Sequence, residues 1–182
     1  MKIRKITYSV FIIFMLILFA APQGSAQPSP RGKAPVITNA YLIGQGRYGD
    51  ILKIYIEADD PDGEMLRVAT TVDQVAYGLY PTDWIYLKPQ YRRHFVGYLQ
   101  WNTYSSHTGY IREWTWITVK VSVFDKAGNE SNVVALPFQF VSEVVKNSRP
   151  PAPFDQGNLP RLGHVGINLY EPTQMGDGKD IP

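Results

Sequence analysis

Apolar and polar residues alternate with a period of two along much of the chain, and that period marks β-strands with one buried face. The clearest case covers residues 114–141. Ile117, Val119, Val121 and Val123 alternate with Thr118, Lys120 and Ser122, and Val134, Leu136, Phe138 and Phe140 form a second apolar row. Residues 125–129 between them read Asp-Lys-Ala-Gly-Asn. Gly128 takes positive φ there at no steric cost, and Asp125 and Asn129 bond nearby backbone. The pattern predicts a β-hairpin.

An earlier stretch repeats the design. Leu52, Ile54, Ile56 and Ala58 alternate with Lys53, Tyr55 and Glu57, and Leu66, Val68, Thr70 and Val72 follow the turn Asp59-Asp60-Pro61-Asp62-Gly63. This predicts an early hairpin to match the late one. Residues 36–43, 84–87 and 95–101 are further short candidates, the last two inside a stretch broken by Pro81 and Pro89. No sustained helical period occurs after the first 26 residues. Several short strands with turns between them predict an all-β, immunoglobulin-like antiparallel sandwich of about seven strands, spanning 36–142. The Gly-rich loop at 44–49 lacks a strand–loop–helix context, so no phosphate-binding role is assigned to it.

The ends of the chain read differently. Lys2, Arg4 and Lys5 precede an apolar run at 10–21, and Gly24-Ser25-Ala26 offers a small-residue cut before Gln27. This is the layout of a secretory signal peptide over 1–26. The run is shorter than the ~20 residues of a membrane-spanning helix, with an uncleaved anchor as the alternative. Export places the processed chain in the periplasm, outside the cell or on its surface, with no integral membrane segment. Residues 27–35 form a flexible lead-in. Residues 143–182 carry Pro150, Pro151, Pro153, Pro160, Pro172 and Pro182 among several glycines, which predicts an irregular tail. Within it Val165, Ile167 and Leu169 alternate, so 162–170 is a candidate strand for a sheet edge, its own or a partner's.

Charge and cysteine content narrow the function classes. The chain has 18 basic and 16 acidic residues, and three of the basic ones lie in the signal segment, which leaves 15 against 16. No general attraction to nucleic acid follows. The absence of cysteine removes thiolate catalysis, zinc–cysteine sites and iron–sulfur clusters, and leaves the core to hold the fold without disulfides.

The runs Ile54-Tyr55-Ile56-Glu57-Ala58-Asp59-Asp60-Pro61-Asp62-Gly63 and Val119 to Asn132, with its Asp-Lys-Ala-Gly-Asn-Glu-Ser, resemble bacterial immunoglobulin-like and fibronectin type III-like extracellular domains. The resemblance covers roughly residues 35–142. It implies a sandwich fold and says little about function, because such domains serve many roles. Unlike antibody-type domains, the chain has no cysteine pair and no Trp in its third strand.

Two groups of residues are candidates for a site. Asp59, Asp60 and Asp62 lie in the loop after the second strand, and Asp125 and Asn129 lie in the last hairpin. In an immunoglobulin-like fold both loops sit at one end, where their oxygens are a candidate calcium site. Ordinary turn chemistry explains the same residues more simply. The second group is aromatic: 12 of the 40 residues in 77–116 are Phe, Trp or Tyr. Trp114 and Trp116 fall on the face opposite Ile117 and Val119, so they point away from the core. Either the middle segment folds over them as a lid around Trp84, or Trp84, Trp114, Trp116 and Tyr91 form an exposed surface for a protein or a sugar.

No catalytic constellation emerges. His94, His107 and His164 are scattered, Ser105-Ser106-His107 is a polar loop, and there is no nucleophile elbow and no zinc-protease motif. Arg92 and Arg93 alone are not a nucleic-acid signature. The sequence therefore points to a non-enzymatic interaction or structural module of a bacterial surface, periplasmic or filament assembly, with a protein partner or self-assembly. The alternative is a carbohydrate-binding module.

Overall fold

In the computed structural model, which describes residues 32–143 and 149–171, ten strands form two facing sheets. The signal segment at 1–26 and the end of the tail lie outside the described residues. The strands are β1 (Val36–Tyr41), β2 (Gln45–Gly46), β3 (Ile51–Asp59), β4 (Met65–Gln74), β5 (Gly78–Leu79), β6 (Asp83–Tyr86), β7 (His94–Asn102), β8 (Trp116–Asp125), β9 (Val134–Phe140) and β10 (Arg161–Val165). The first sheet runs β1-β3-β7-β10 and the second β2-β9-β8-β4-β5, with β6 also paired to β4. One 3-10 turn, Pro89–Tyr91, precedes β7.

The alternating residues face each other between the sheets. Ile54, Ile56, Leu99 and Trp101 come from the first sheet, and Val68, Val72, Val119, Val123 and Phe138 from the second, all fully buried. Each such side chain contributes about 1.5–3 kcal/mol by leaving water, which lets the core stand without disulfides. The result is the immunoglobulin- and fibronectin type III-like sandwich that the resemblance implied. It has ten strands rather than about seven, because short pieces such as β2 and β5 carry no periodic signal of their own.

Three details differ from the sequence expectation. The late hairpin forms, with Ile117 opposite Phe138 and Val119 opposite Leu136. The early one does not. β3 pairs with β1 and β7, whereas β4 pairs with β8, so the 59–64 turn carries the chain from one sheet to the other. Alternation reports a buried face, not the neighbour across the ladder. The sandwich is also not wholly antiparallel, since β2 lies parallel to β9 and β10 parallel to β7.

The third difference lies in the tail, where residues 149–171 are packed into the sandwich. Phe154 is buried on the outside of the first sheet, 5.4 Å from the Tyr55 ring. β10 then takes the outer position beside β7, with Gly163 opposite Leu99 and Val165 opposite Trp101. Beyond it, Ile167 and Leu169 join the core. Trp101 Nε1 donates to the Ile167 carbonyl at 3.0 Å, Ser105 Oγ to that of Leu169 at 2.6 Å, and Gln74 Nε2 to that of Tyr170 at 2.8 Å. Pro and Gly content predicted looseness, but Phe154, Leu162, Val165, Ile167 and Leu169 each find a slot and the backbone finds side-chain partners.

The opposite edge of the first sheet is guarded too. Ile37 N–H donates to Asn132 Oδ1 at 2.8 Å, and Asn132 Nδ2 donates to the Ile37 carbonyl at 3.1 Å. An amide side chain here satisfies groups that would otherwise invite another strand.

Candidate functional site

The outward face of the second sheet carries the aromatic candidates. Residues that alternate with the core point outward: Arg67, Ala69, Thr71 and Asp73 on β4, Trp84 and Tyr86 on β6, and Trp116, Thr118, Lys120, Ser122 and Phe124 on β8. Register sets them in rows. Tyr86, Arg67 and Phe124 lie side by side across three strands, and Trp84, Ala69 and Ser122 form the next row. Ala69 and Ser122 are small and buried despite facing out, which leaves room for the Trp84 ring beside them.

Trp84 meets Phe124 edge-on, with centroids 5.2 Å apart at 71°. The Arg67 guanidinium sits 3.9 Å from the Trp84 ring centre and 5.7 Å from that of Phe124. A cation held over aromatic rings gains about 0.5–2 kcal/mol and loses its freedom to swing. Further along the face, Lys120 pairs with Asp73 at 3.2 Å. Trp116 ends this row on β8. Trp114 is not part of β8. It stands in the preceding turn at φ +66°, with its N–H donated to the Phe140 carbonyl at 2.8 Å.

No lid from the described residues covers these rings. Trp84 remains 39% exposed, Tyr86 64%, Trp114 62% and Trp116 46%. The middle segment supplies β6 to this sheet and β7 to the other instead of folding over the tryptophans. Tyr91 is placed elsewhere: it sits on the 3-10 turn and packs against the core. Arg67, Tyr86 and Phe124 were not among the sequence candidates. Only the β4–β6 and β4–β8 registers bring them together, and no local pattern encodes those.

The acidic turns do share one end, since Lys126 N–H donates to the Glu64 carbonyl at 3.0 Å. Asp60 and Asp125 turn their carboxylates into their own loops, while Asp62 and Asp59 reach other segments. Asp60 Oδ1 accepts from the Asp62 N–H at 2.9 Å and Oδ2 from the Glu64 N–H at 2.8 Å. Asp125 Oδ1 accepts from the Asn129 N–H at 2.8 Å and Oδ2 from Asn129 Nδ2 at 2.6 Å. Asp62 accepts from the Lys33 N–H at 2.6 Å, and Asp59 contacts His94 Nδ1 at 2.8 Å. Among the described residues, no group of three or more His, Asp or Glu side chains is placed to hold a metal ion.

At the other end, rings stack in series. Tyr80 lies 4.4 Å from Tyr77, Tyr77 5.3 Å from Tyr170, and Tyr170 4.4 Å from His107, all within 16° of parallel. The Tyr80 hydroxyl donates to Gln74 Oε1 at 2.6 Å and accepts from the Tyr170 N–H at 2.8 Å. Burial pushes its pKa up to about 12. Ser105 Oγ, besides its bond to Leu169, accepts from the His107 N–H at 3.0 Å, so it serves backbone rather than an imidazole base. An open cleft of about 200 Å³ nearby is lined by Arg47, Tyr48, Ile111, Glu113 and Phe140.

No protein-family model and no curated protein matches the chain. Among solved structures, it is similar to the fibronectin(III)-like modules of Clostridium thermocellum CbhA. The identity is 16%, 63% of this chain and 51% of that one are covered, and the TM-score is 0.36. The chain thus spans about half the length of that structure. The architecture described above rests on its own strand order and registers.

Proposed function

We propose that this chain is an exported, non-enzymatic interaction module that recognises its partner through side chains on the outer face of its second sheet. The observation that carries the reading is the exposure of Trp84, Tyr86 and Trp116 on the outer face of that sheet. Large aromatic residues left in water on a rigid surface usually mark a binding site. Strand exchange is the weaker route to a partner. β10 already fills the β7 edge, and Asn132 closes the β1 edge at Ile37. The serine and histidine hydroxyl and ring contacts at the far end support a structural use of those groups rather than acyl transfer.

Hydroxyl-radical footprinting tests the reading without naming the partner. The protein is oxidised in the envelope of the producing cells and again after purification. Trp84, Tyr86 and Trp116 are expected to react less in place than in isolation, while Tyr104, exposed at the far end, reacts equally in both. Equal reactivity of all four residues in both states defeats the proposal. The glycan alternative is favoured by one further feature of the same face, the guanidinium among its rings.

A further inference from the structure

Resting on the reading of the second sheet's outer face as the recognition surface, we infer that Arg67, Trp84 and Tyr86 form a binding site for the uronate residues of an acidic polysaccharide. Arg67 is fixed by its contact with Trp84 at 3.9 Å. Its Nε is buried and has no hydrogen-bond acceptor. A buried donor without an acceptor normally calls for an explanation. Here the aromatic contacts hold the base of the guanidinium, and its hydrogen-bonding power is left to the outer Nη groups. No carboxylate of the described residues pairs with it. The neighbouring cations are already neutralised, Lys120 by Asp73 at 3.2 Å and Lys126 by Glu64 at 3.4 Å.

The unspent charge defines one half of the ligand. A guanidinium presents parallel N–H groups that match the two oxygens of a carboxylate. The rings define the other half. Tyr86 lies directly across the ladder from Arg67 and is 64% exposed, and Trp84 is 39% exposed in the next row. Flat aromatic faces suit the C–H face of a pyranose ring. A carboxylate carried on a pyranose is a hexuronate. The surface is also long. From Phe124 to Trp116 the face runs roughly 26 Å along β8, enough for several sugar residues in a row. A peptide carboxylate would satisfy Arg67 but leave the exposed Tyr86 ring without a flat apolar partner.

The test uses the processed full chain and polygalacturonate, with its fully methyl-esterified form as the control. Affinity electrophoresis and calorimetry are expected to show binding to the acid and at least tenfold weaker binding to the ester, whose carboxylates are masked. Arg67→Gln and Tyr86→Ala should each weaken binding to the acid at least tenfold while the melting temperature shows a folded domain. Lys53→Gln, an exposed cation on the first sheet, should leave binding unchanged. Should Arg67→Gln fail to fold, the exposed Tyr86→Ala carries the test. Equal binding to acid and ester overturns the proposal. So does equal weakening by Lys53→Gln and Arg67→Gln, tighter binding to polyglutamate than to polygalacturonate and alginate, or no binding to either polyuronate at millimolar sugar. Footprint protection of the face without polyuronate binding would remove the sugar and leave the interaction reading standing.

Discussion

Gly163 lies so close to Ile85 that a Cβ on the glycine would collide with the isoleucine Cγ2. The two residues belong to different sheets, β10 to the first and β6 to the second. Their contact is where the last strand closes the side of the sandwich. Ile85 is buried and branched at Cβ, which restricts how far its side chain can yield. Gly163→Val is therefore expected to destabilise the domain by about 1–3 kcal/mol or more through overpacking. Urea unfolding should show a lower midpoint. Gly157→Ala, with open space around its position, is the control and should change little. Equal midpoints for Gly163→Val and the parent would show that β10 does not seat as described.

Removing the closing segment altogether should cost far more. Truncation after Ser142 strips away Phe154, Leu162, Val165, Ile167 and Leu169, each at most 8% exposed. At about 1.5–3 kcal/mol apiece, their burial is comparable to the whole stability of an ordinary domain, about 5–15 kcal/mol. It also uncovers the Trp101 indole and the Gln74 amide, which then lose the Ile167 and Tyr170 carbonyls. The truncated chain should lose its cooperative thermal transition in circular dichroism. A cooperative melt within a few degrees of the parent would mean that this segment is an appendage.

Tyr80 gives the fold a signature in alkali. Its phenol is raised from the ordinary 10.0 to about 12, first by burial and then by the neighbouring Tyr77 and Tyr170, against the bond from the Tyr170 backbone. The folded state thus holds this proton more tightly than the unfolded chain. Its contribution to stability is complete below about pH 10 and drains away as pH rises from there through about 12. Tyr55, also raised by burial, drains in the same direction. The melting temperature should fall across that window. Tyr80→Phe should flatten part of the fall. Below pH 10 it should cost about 1–3 kcal/mol, because Gln74 Oε1 and the Tyr170 N–H lose their partner. An identical pH profile for parent and variant would remove Tyr80 as the cause.

These sites differ in how far the sequence shows them. The inward rows of β3, β4, β8 and β9 are legible because each residue's environment follows from its own parity. Sheet membership is not legible. The same parity in 51–72 suits a hairpin or a crossing between sheets, and only the β4–β8 register decides. The Arg67 cluster is hidden for that reason, since its members come from three strands. The tail misleads through composition, yet it holds a usable clue. A glycine inside an alternating apolar run often marks close backbone approach, and Gly163 stands between Leu162 and Val165. Gly97 on β7 is its counterpart, where a Cβ would lie 2.8 Å from the Pro160 carbonyl oxygen.

The acidic turns yield a prediction about what their carboxylates do. Asp60 is buried and accepts two backbone N–H groups of its own loop, and Asp125 accepts the backbone N–H and the side-chain amide of Asn129. Carboxylates used this way hold the turn that links the two sheets, at Asp60, and the β8–β9 hairpin, at Asp125. Replacing Asp60 with Ala leaves the Asp62 and Glu64 N–H groups without their acceptor, in a position only partly open to water. The cost should be about 1–3 kcal/mol. A metal site built from the same oxygens predicts something else. Calcium would then raise the parent's melting temperature, and Asp60→Ala would abolish the rise. The turn account predicts that Asp60→Ala lowers the melting temperature by the same amount in calcium and in chelator, with the parent insensitive to either. Scanning calorimetry of both proteins in both buffers separates the two. A calcium-dependent shift in the parent that vanishes in Asp60→Ala would return these residues to a metal.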